Sequence, residues 1–543
     1  MSVDNTDNKT AGESFFRQFF NNKNKVNLLC IPLLIYIVYF LAELIMHTVS
    51  DANIPNEYRE AANVLLTRKF LSGENPYSLS ALGGELPPYI YLYGPVYSLV
   101  TAFLSFIFPI DIIVMHYIVT FICVVVSGVL AAAYVWRHSR SQLAALGAFL
   151  FLLICHWRYG FINAVPDSMA LMLMILMLYI LTETDFKYKP QVLALLTIII
   201  FFTKQYFVLI AGTVVIYLFI YERKNLLKYI LSGLVMGIII FAVISLTCPL
   251  FWTYTIYLAK GPGSGVAGHV TKNGQKVTSL SYNMQQIMSI GGMFLFFFVA
   301  ETVGVVISAI KRKFDRADVL MFIHLFVSGV CLVGYLGKNG GAWLSYYLEL
   351  FVPALIIGAL LMMVRHLPDK GGAVWVAVSF AAFILVFGFT IMRVEQRLPK
   401  SPMTDEDYLS WSAAKDIMEE NASGEEYLYP LLAYYGIEMD QYIYNSGQPF
   451  VVSEKFYKKY HESALAMKYF PYAENIFASH LNYRKTILEK VRNGEYSLVT
   501  YLPDYDADKV FETGDLTHFY TLKDTLSLRT GREIWKVEFW TKK

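Results

Sequence analysis

Between residues 26 and 393 the chain is written as long apolar runs separated by short polar breaks, and from Glu395 onward that pattern stops. The first run, Val26 to Thr48, is 23 residues long. As a helix it would reach roughly 34 Å, against a hydrocarbon core of about 30 Å. The runs predict membrane helices at about 26–48, 111–136, 143–157, 165–182, 190–203, 205–221, 228–248, 287–309, 317–337, 345–364 and 372–393. Residues 1–25 are polar and lack the apolar core and small-residue cleavage site of a signal peptide, so the first run reads as a retained helix.

The polar breaks are of two kinds. One kind is basic: Lys23 and Lys25; Arg137 and Arg140; Lys187 and Lys189; Arg223, Lys224 and Lys228; Lys311, Arg312, Lys313 and Arg316; Arg365 and Lys370. The other is rich in aromatics, Gly and Pro. Basic loops favour the cytoplasmic side. The stretch 95–108 is apolar, but a 14-residue helix reaches only about 21 Å, and Gly94-Pro95 and Pro109 bound it. It reads as a helix lying in the outer interface, held by Tyr93 and Tyr97. This leaves about eleven spans, a cytoplasmic N-terminus and an extracytoplasmic C-terminus. Two outer loops are long, 49–110 and 251–286, and the second, with its glycines from Gly261 to Gly274, reads as a flexible segment.

Composition narrows the class. Hydrophobic residues make up 56% and charged residues 16%, with a mean hydropathy of +0.45, which excludes a soluble globule, a disordered chain and a disulfide scaffold. Residues 396–543 carry 18 basic and 23 acidic residues within a chain whose net charge is +2, so tail and apolar region have opposite sign and suggest two compartments. The small net charge argues against a nucleic-acid partner. The five cysteines all lie in or beside apolar runs and imply no disulfide framework. The expected fold is a polytopic α-helical membrane protein over 1–394 with a C-terminal extracytoplasmic α/β domain over 395–543. In that tail, Tyr442 to Tyr444, Tyr496 to Leu502 and Ile534 to Trp540 read as strands, and 404–420 and 473–492 as helices. The tail aromatics Trp535, Phe539 and Trp540 suit either a sheet core or stacking on sugars.

Candidate chemistry sits on the outer side. If 57–71 is helical, Glu60, Asn63 and Thr67 form one polar strip, with Glu57 at its edge. Such a helix can aim a carboxylate at the bilayer surface, although a solvated interfacial helix with acids at its N-terminus is the simpler reading of the spacing. Asp51, Arg158, Asp167, Lys204 and Lys338 are charges at the outer ends of spans, where a charge is expensive and usually faces a cavity. Basic residues on that side call for compensation, by structural pairing such as Arg158 with Asp167 or by a lipid-linked phosphate. There is no Walker A sequence, HExxH, GxSxG or Cys/His metal spacing.

Several segments together resemble a known family. They are the first span and the acidic stretch Asn56-Glu57-Tyr58-Arg59-Glu60-Ala61; the Gly-x-Asn-Pro-Tyr turn at Gly73 to Tyr77; the Pro87 to Ser98 approach to an interfacial helix; Val165-Pro166-Asp167; and the stretch from Lys338-Asn339-Gly340-Gly341 to Tyr346-Tyr347-Leu348-Glu349. They resemble the GT-C superfamily of integral membrane glycosyltransferases, in the branch of protein O-mannosyltransferases, aminoarabinose transferases and polyprenyl-phosphate-mannose-dependent enzymes. Glu57 matches the second acid of the family's Asp-Glu-x-Arg-Tyr-Ala motif and Arg59 its arginine, while Asn56 and Glu60 depart from it. The general base is therefore open among Glu57, Glu60 and Asp51. The resemblance implies an inverting transferase that moves a sugar from a polyprenyl phosphate to a hydroxyl of a lipid, glycan or protein on the outer face of a bacterial plasma membrane. Arg158, Lys204 and Lys338 would bind donor phosphate, and Arg59, Asp167, Tyr93 and Tyr346 would bind substrate. No metal or cofactor is implied. A flippase of lipid-linked sugars or a polysaccharide polymerase or ligase is the alternative.

Overall fold

The computed structural model describes residues 30–51, 58–159, 162–182, 186–260, 269–272, 275–311, 315–334, 344–366, 388–394, 404–421, 423–428, 452–503, 510–530 and 533–543, with a few isolated residues between them. Among these residues the apolar runs are helices, while most of the expected span 372–393 lies outside them. They are α1 (Cys30–Asp51), α2 (Tyr58–Leu71), α3 (Val96–Ile107), α4 (Ile112–Ser139), α5 (Gln142–Tyr159), α6 (Asp167–Thr182), α7 (Lys189–Thr203), α8 (Ile210–Tyr221) and α9 (Arg223–Thr247). After a hairpin of β1 (His269–Lys272) and β2 (Gln275–Thr278) come α10 (Ser279–Met293), α11 (Leu295–Ile310), α12 (Arg316–Gly334), α13 (Leu344–Leu350) and α14 (Val352–His366). Five helices among the described residues are long and apolar enough to cross a membrane, or six if one bent pair counts as a span, and five more apolar helices are shorter.

Local chemistry sets the helix ends. The Asp111 carboxylate accepts from the backbone N–H groups of Ile113 and Val114 and caps α4. At the other end Arg140 takes a left-handed φ of 56° with its guanidinium 4.9 Å from the Trp136 ring. Gly73, at φ 74°, ends α2, and the following N–H returns to Lys69 O. Buried aliphatic and aromatic side chains of α1, α4 to α8 and α10 to α14 form one large core.

Ion pairs and hydrogen bonds show which helix ends lie together. Lys189, at the start of α7, donates to Glu222, at the end of α8, at 2.8 Å and to Leu181 O near the end of α6 at 2.8 Å. Helices α7 and α8 therefore form an antiparallel hairpin with Lys204 at its tip. Arg365, at the end of α14, meets Asp315 and Asp318 at the start of α12 (3.2 and 2.8 Å). Tyr134 Oη, near the end of α4, donates to Ala317 O at 3.3 Å, so these basic breaks share one end of the bundle. Asp167 and Lys204 share the other.

Three expectations change. The run 287–309 is not one straight span: α10 and α11 meet at 91° around Phe294, beside Gly291-Gly292, where no side chain stiffens the backbone. The glycine-rich loop carries the antiparallel β1–β2 ladder, His269 opposite Thr278, while 261–268 lies outside the described residues. In the tail, α15 (Asp405–Asn421), β3 (Glu426–Tyr427), α16 (Glu454–His461), α17 (Ala464–Tyr469), α18 (Ala473–Arg492), β4 (Leu498–Tyr501), α19 (Thr513–Leu516), β5 (Tyr520–Thr530) and β6 (Glu533–Lys542) follow one another. The sheet order is β3-β4-β6-β5, with β3 parallel to β4 and the other pairs antiparallel. Tyr442 lies outside any strand, with 443–444 outside the described residues, and β5 is an additional strand. Phe539 and Trp540 are buried in the sheet's two cores and Trp535 packs against one of them, so these rings are core rather than a sugar platform.

Candidate functional site

The polar strip of α2 turns inward. Glu60, Asn63 and Thr67 are all buried. Asn63 Nδ2 donates to Ala164 O at 2.9 Å, Thr67 Oγ1 lies 2.8 Å from His116 Nε2 on α4, and Tyr117 Oη donates to Glu60 Oε2 at 3.4 Å. The solvated reading of this helix fails because α3 and α4 cover the strip and supply its hydrogen bonds. Helix α3 is formed as expected from 95–108; its Tyr97, Ser98, Thr101 and Ala102 are buried, while Phe103 and Phe106 are exposed. Ala164, held by Asn63, lies three residues before Asp167, so the first loop and the start of α6 are fastened together.

Asp167 opens α6, and Lys204 interrupts the α7–α8 hairpin. Lys204 Nζ pairs with Asp167 Oδ1 and lies 3.6 Å from Glu349 Oε2. Tyr206 Oη donates to the same Glu349 oxygen. Three rings surround the ammonium, Tyr93 at 5.5 Å, Tyr206 at 4.7 Å and Tyr346 at 5.9 Å. Lys204 is 2% exposed and Glu349 fully buried, so each group depends on its partners for what water would otherwise supply. Next to Lys204, Gln205 Nε2 donates to Leu92 O and to Thr255 O (2.9 Å), tying the Tyr93 loop to the segment after α9. Gly94 sits directly on the end of α7: a Cβ there would lie 1.9 Å from Phe202 O.

Of the residues singled out in the sequence, Tyr93, Asp167, Lys204 and Tyr346 therefore converge. Arg158 and Arg59 lie in α5 and α2, and Asp51 at the end of α1, with their side chains outside the described residues. Glu57 and Lys338 lie wholly outside them. Glu60 is on the neighbouring helix, in its own polar nest. Tyr206 was not anticipated, and Glu349 only as the end of a motif. Among the described residues no three His, Cys, Asp or Glu side chains converge as a metal site would require.

No protein-family model matches the chain, and no curated protein sequence matches it. Solved structures do. Two structures of ArnT from Cupriavidus metallidurans, one in the apo state and one bound to undecaprenyl phosphate, align over 93% of this chain and 97% of theirs at 13% identity, with a TM-score of 0.52. The protein has the fold of the GT-C membrane glycosyltransferases. The oligosaccharyltransferase AglB from Archaeoglobus fulgidus, in complex with an inhibitory peptide and a dolichol-phosphate, aligns over 92% of this chain and 74% of its own at 12% identity and a TM-score of 0.45.

Proposed function

We propose that the protein is an inverting glycosyltransferase that moves a sugar from a polyprenyl phosphate to a hydroxyl of a lipid, glycan or protein acceptor, on the extracytoplasmic face of a bacterial plasma membrane. The observation that carries this reading is Lys204. It is a buried cation between two carboxylates and three tyrosine rings, at the bundle end away from the basic loops. The shared fold with ArnT, which binds undecaprenyl phosphate, supports it.

The acceptor oxygen attacks the anomeric carbon, the bond from that carbon to the phosphate oxygen breaks, and the polyprenyl phosphate leaves with the electron pair. The acceptor proton passes to a carboxylate within about 3 Å. We assign the base to the α1–α2 connection and its helix: Glu57, Glu60 or Asp51. Lys204, joined by Arg158 and Lys338, stabilises the departing phosphate. Asp167 and Glu349 orient the Lys204 ammonium until phosphate takes over part of its coordination. The tyrosines exclude water and offer faces to the sugar. Arg59 contributes to substrate binding. No metal or cofactor enters the reaction, and domains 1–394 and 395–543 act as catalytic bundle and extracytoplasmic cap.

The test is transfer of labelled sugar from polyprenyl-phosphate donors to acceptors in membranes that overproduce the protein. Lys204→Met and at least one of Glu57→Gln, Glu60→Gln and Asp51→Asn should reduce transfer by about 10²–10⁴-fold. If all three carboxylate variants transfer normally, the base is elsewhere. If wild type moves lipid-linked sugar across vesicles without transferring it, the protein is a flippase.

A further inference from the structure

The tail carries one element with the wrong surface for water. After α9 the chain folds back along it: the Trp252 ring lies 5.0 Å from that of Phe241, and its Nε1 donates to Ser245 Oγ at 3.0 Å. Phe241 and Leu246 are 57% and 84% exposed on this apolar helix, so they face lipid and place Trp252 at membrane level. Five residues on, Tyr257 is stacked between Phe456 of α16 at 5.4 Å and Phe470, just past α17, at 5.1 Å. Helices α16 and α17 are thus fastened at the rim of the bundle.

Their inner side buries Phe456, Tyr460 and Ala466. The exposed side of α17 is apolar as well: Leu465 is 69% and Tyr469 64% exposed one turn apart. Exposed Lys455, Lys458 and Lys468 accompany these residues. Within 454–470 four lysines stand against two glutamates, although residues 396–543 as a whole are acidic. Apolar residues with lysines around them, at the level of a helix end, suit an interface of acyl chains and anionic headgroups. Water offers no such match.

We propose that α16–α17 is an interfacial anchor that seats the C-terminal segment on anionic lipid headgroups of the leaflet at the site end of the bundle. The proposal rests on α9 spanning the membrane and is independent of sugar transfer. The anchor also positions the site loop. Helix α18, which follows it, carries His480, whose Nε2–H donates to Pro88 O at 2.9 Å, and Pro88 lies five residues before Tyr93.

The test uses full-length protein in nanodiscs of phosphatidylcholine with or without phosphatidylglycerol. The photo-crosslinker p-benzoylphenylalanine replaces Leu465, Ile238 in the middle of α9, or Leu409 on α15, and adducts are identified by mass spectrometry. Positions 465 and 238 should capture lipid and 409 should not. Phosphatidylglycerol should be enriched several-fold at 465. The combined Lys455→Glu, Lys458→Glu and Lys468→Glu variant should abolish that enrichment while leaving capture at 238 intact. Lipid capture at 238 with none at 465 overturns the anchor. Capture at 465 in the bulk lipid ratio, unchanged by charge reversal, overturns the anionic preference. Adducts at 465 in native membranes to protein alone reassign the surface to a protein partner.

Discussion

Lys204→Met tests the polar centre through stability, separately from activity. The substitution keeps the length of the side chain and removes the cation from between Asp167 and Glu349. Glu349 is fully buried and Asp167 is 8% exposed, so water cannot replace the lost partner. Removing one member of a buried ion pair costs about 3–5 kcal/mol, because the remaining charge is left unpaired. Loss of the three tyrosine contacts adds up to about 2 kcal/mol. The triple variant Lys204→Met, Asp167→Asn, Glu349→Gln leaves no ionisable group in the cluster and should regain most of the pair term, since a neutral cluster of similar volume carries no uncompensated ion. The measurement is the unfolding midpoint of purified protein in mixed micelles titrated with dodecyl sulfate. Lys204→Met should unfold well before wild type and the triple variant between the two, with the triple variant still inactive in transfer. A Lys204→Met midpoint equal to wild type would refute the buried-pair reasoning. So would a triple variant no more stable than the single one.

Gly94→Ala should destabilise by about 1–3 kcal/mol through overpacking, because the new methyl meets the Phe202 carbonyl, which cannot rotate away; Gly83→Ala, whose nearest neighbour would be 3.6 Å away, is the control in the same titration. Burial pushes His480 down from its usual range near 6.5 to about 4. The unfolded chain therefore takes up a proton below pH 6.5 that the folded one refuses, and stability falls as pH drops from 6.5 to 4, by up to about 3 kcal/mol. Unfolding midpoints of wild type and His480→Gln should diverge in slope over that window, and parallel slopes would show that the histidine accepts its proton in place. Ser141→Cys, at the basic end between α4 and α5, should be protected from an impermeant thiol reagent in whole cells and labelled after permeabilisation; labelling in whole cells would invert the orientation.

How much of this was legible beforehand differs by element. Hydrophobic run length and the alternation of basic and aromatic breaks predicted most of the helices and which of their ends share a side, because both are local properties of a chain partitioning between lipid and water. Lys189 with Glu222 and Arg365 with Asp318 then join the ends that the basic breaks had grouped. The interfacial-length helix at 96–107 was legible for the same reason, from its length and bounding prolines. Other features were not. The bend at Phe294 falls within an apolar part of its run, so hydropathy carries no sign of it. The polar strip of α2 has the same spacing whether it meets water or the protein, and only the covering helices α3 and α4 decided that Glu60, Asn63 and Thr67 are inside.

The site shows the same division. The sequence by itself determined that a few charges stand at membrane depth on the side away from the basic loops, Asp167 and Lys204 among them, because a charge interrupting an apolar run is visible wherever it falls. Which partners satisfy them was decided only by tertiary structure. Asp167, Lys204 and Glu349 come from three places far apart in sequence, two helices and the tip of a hairpin, and no periodicity relates them. Arg158 with Asp167 was as reasonable a pairing from the sequence. The α7–α8 hairpin carries Lys204 to the start of α6 and against α13, and burial then requires the ammonium to find carboxylates there, since water is not present to solvate it.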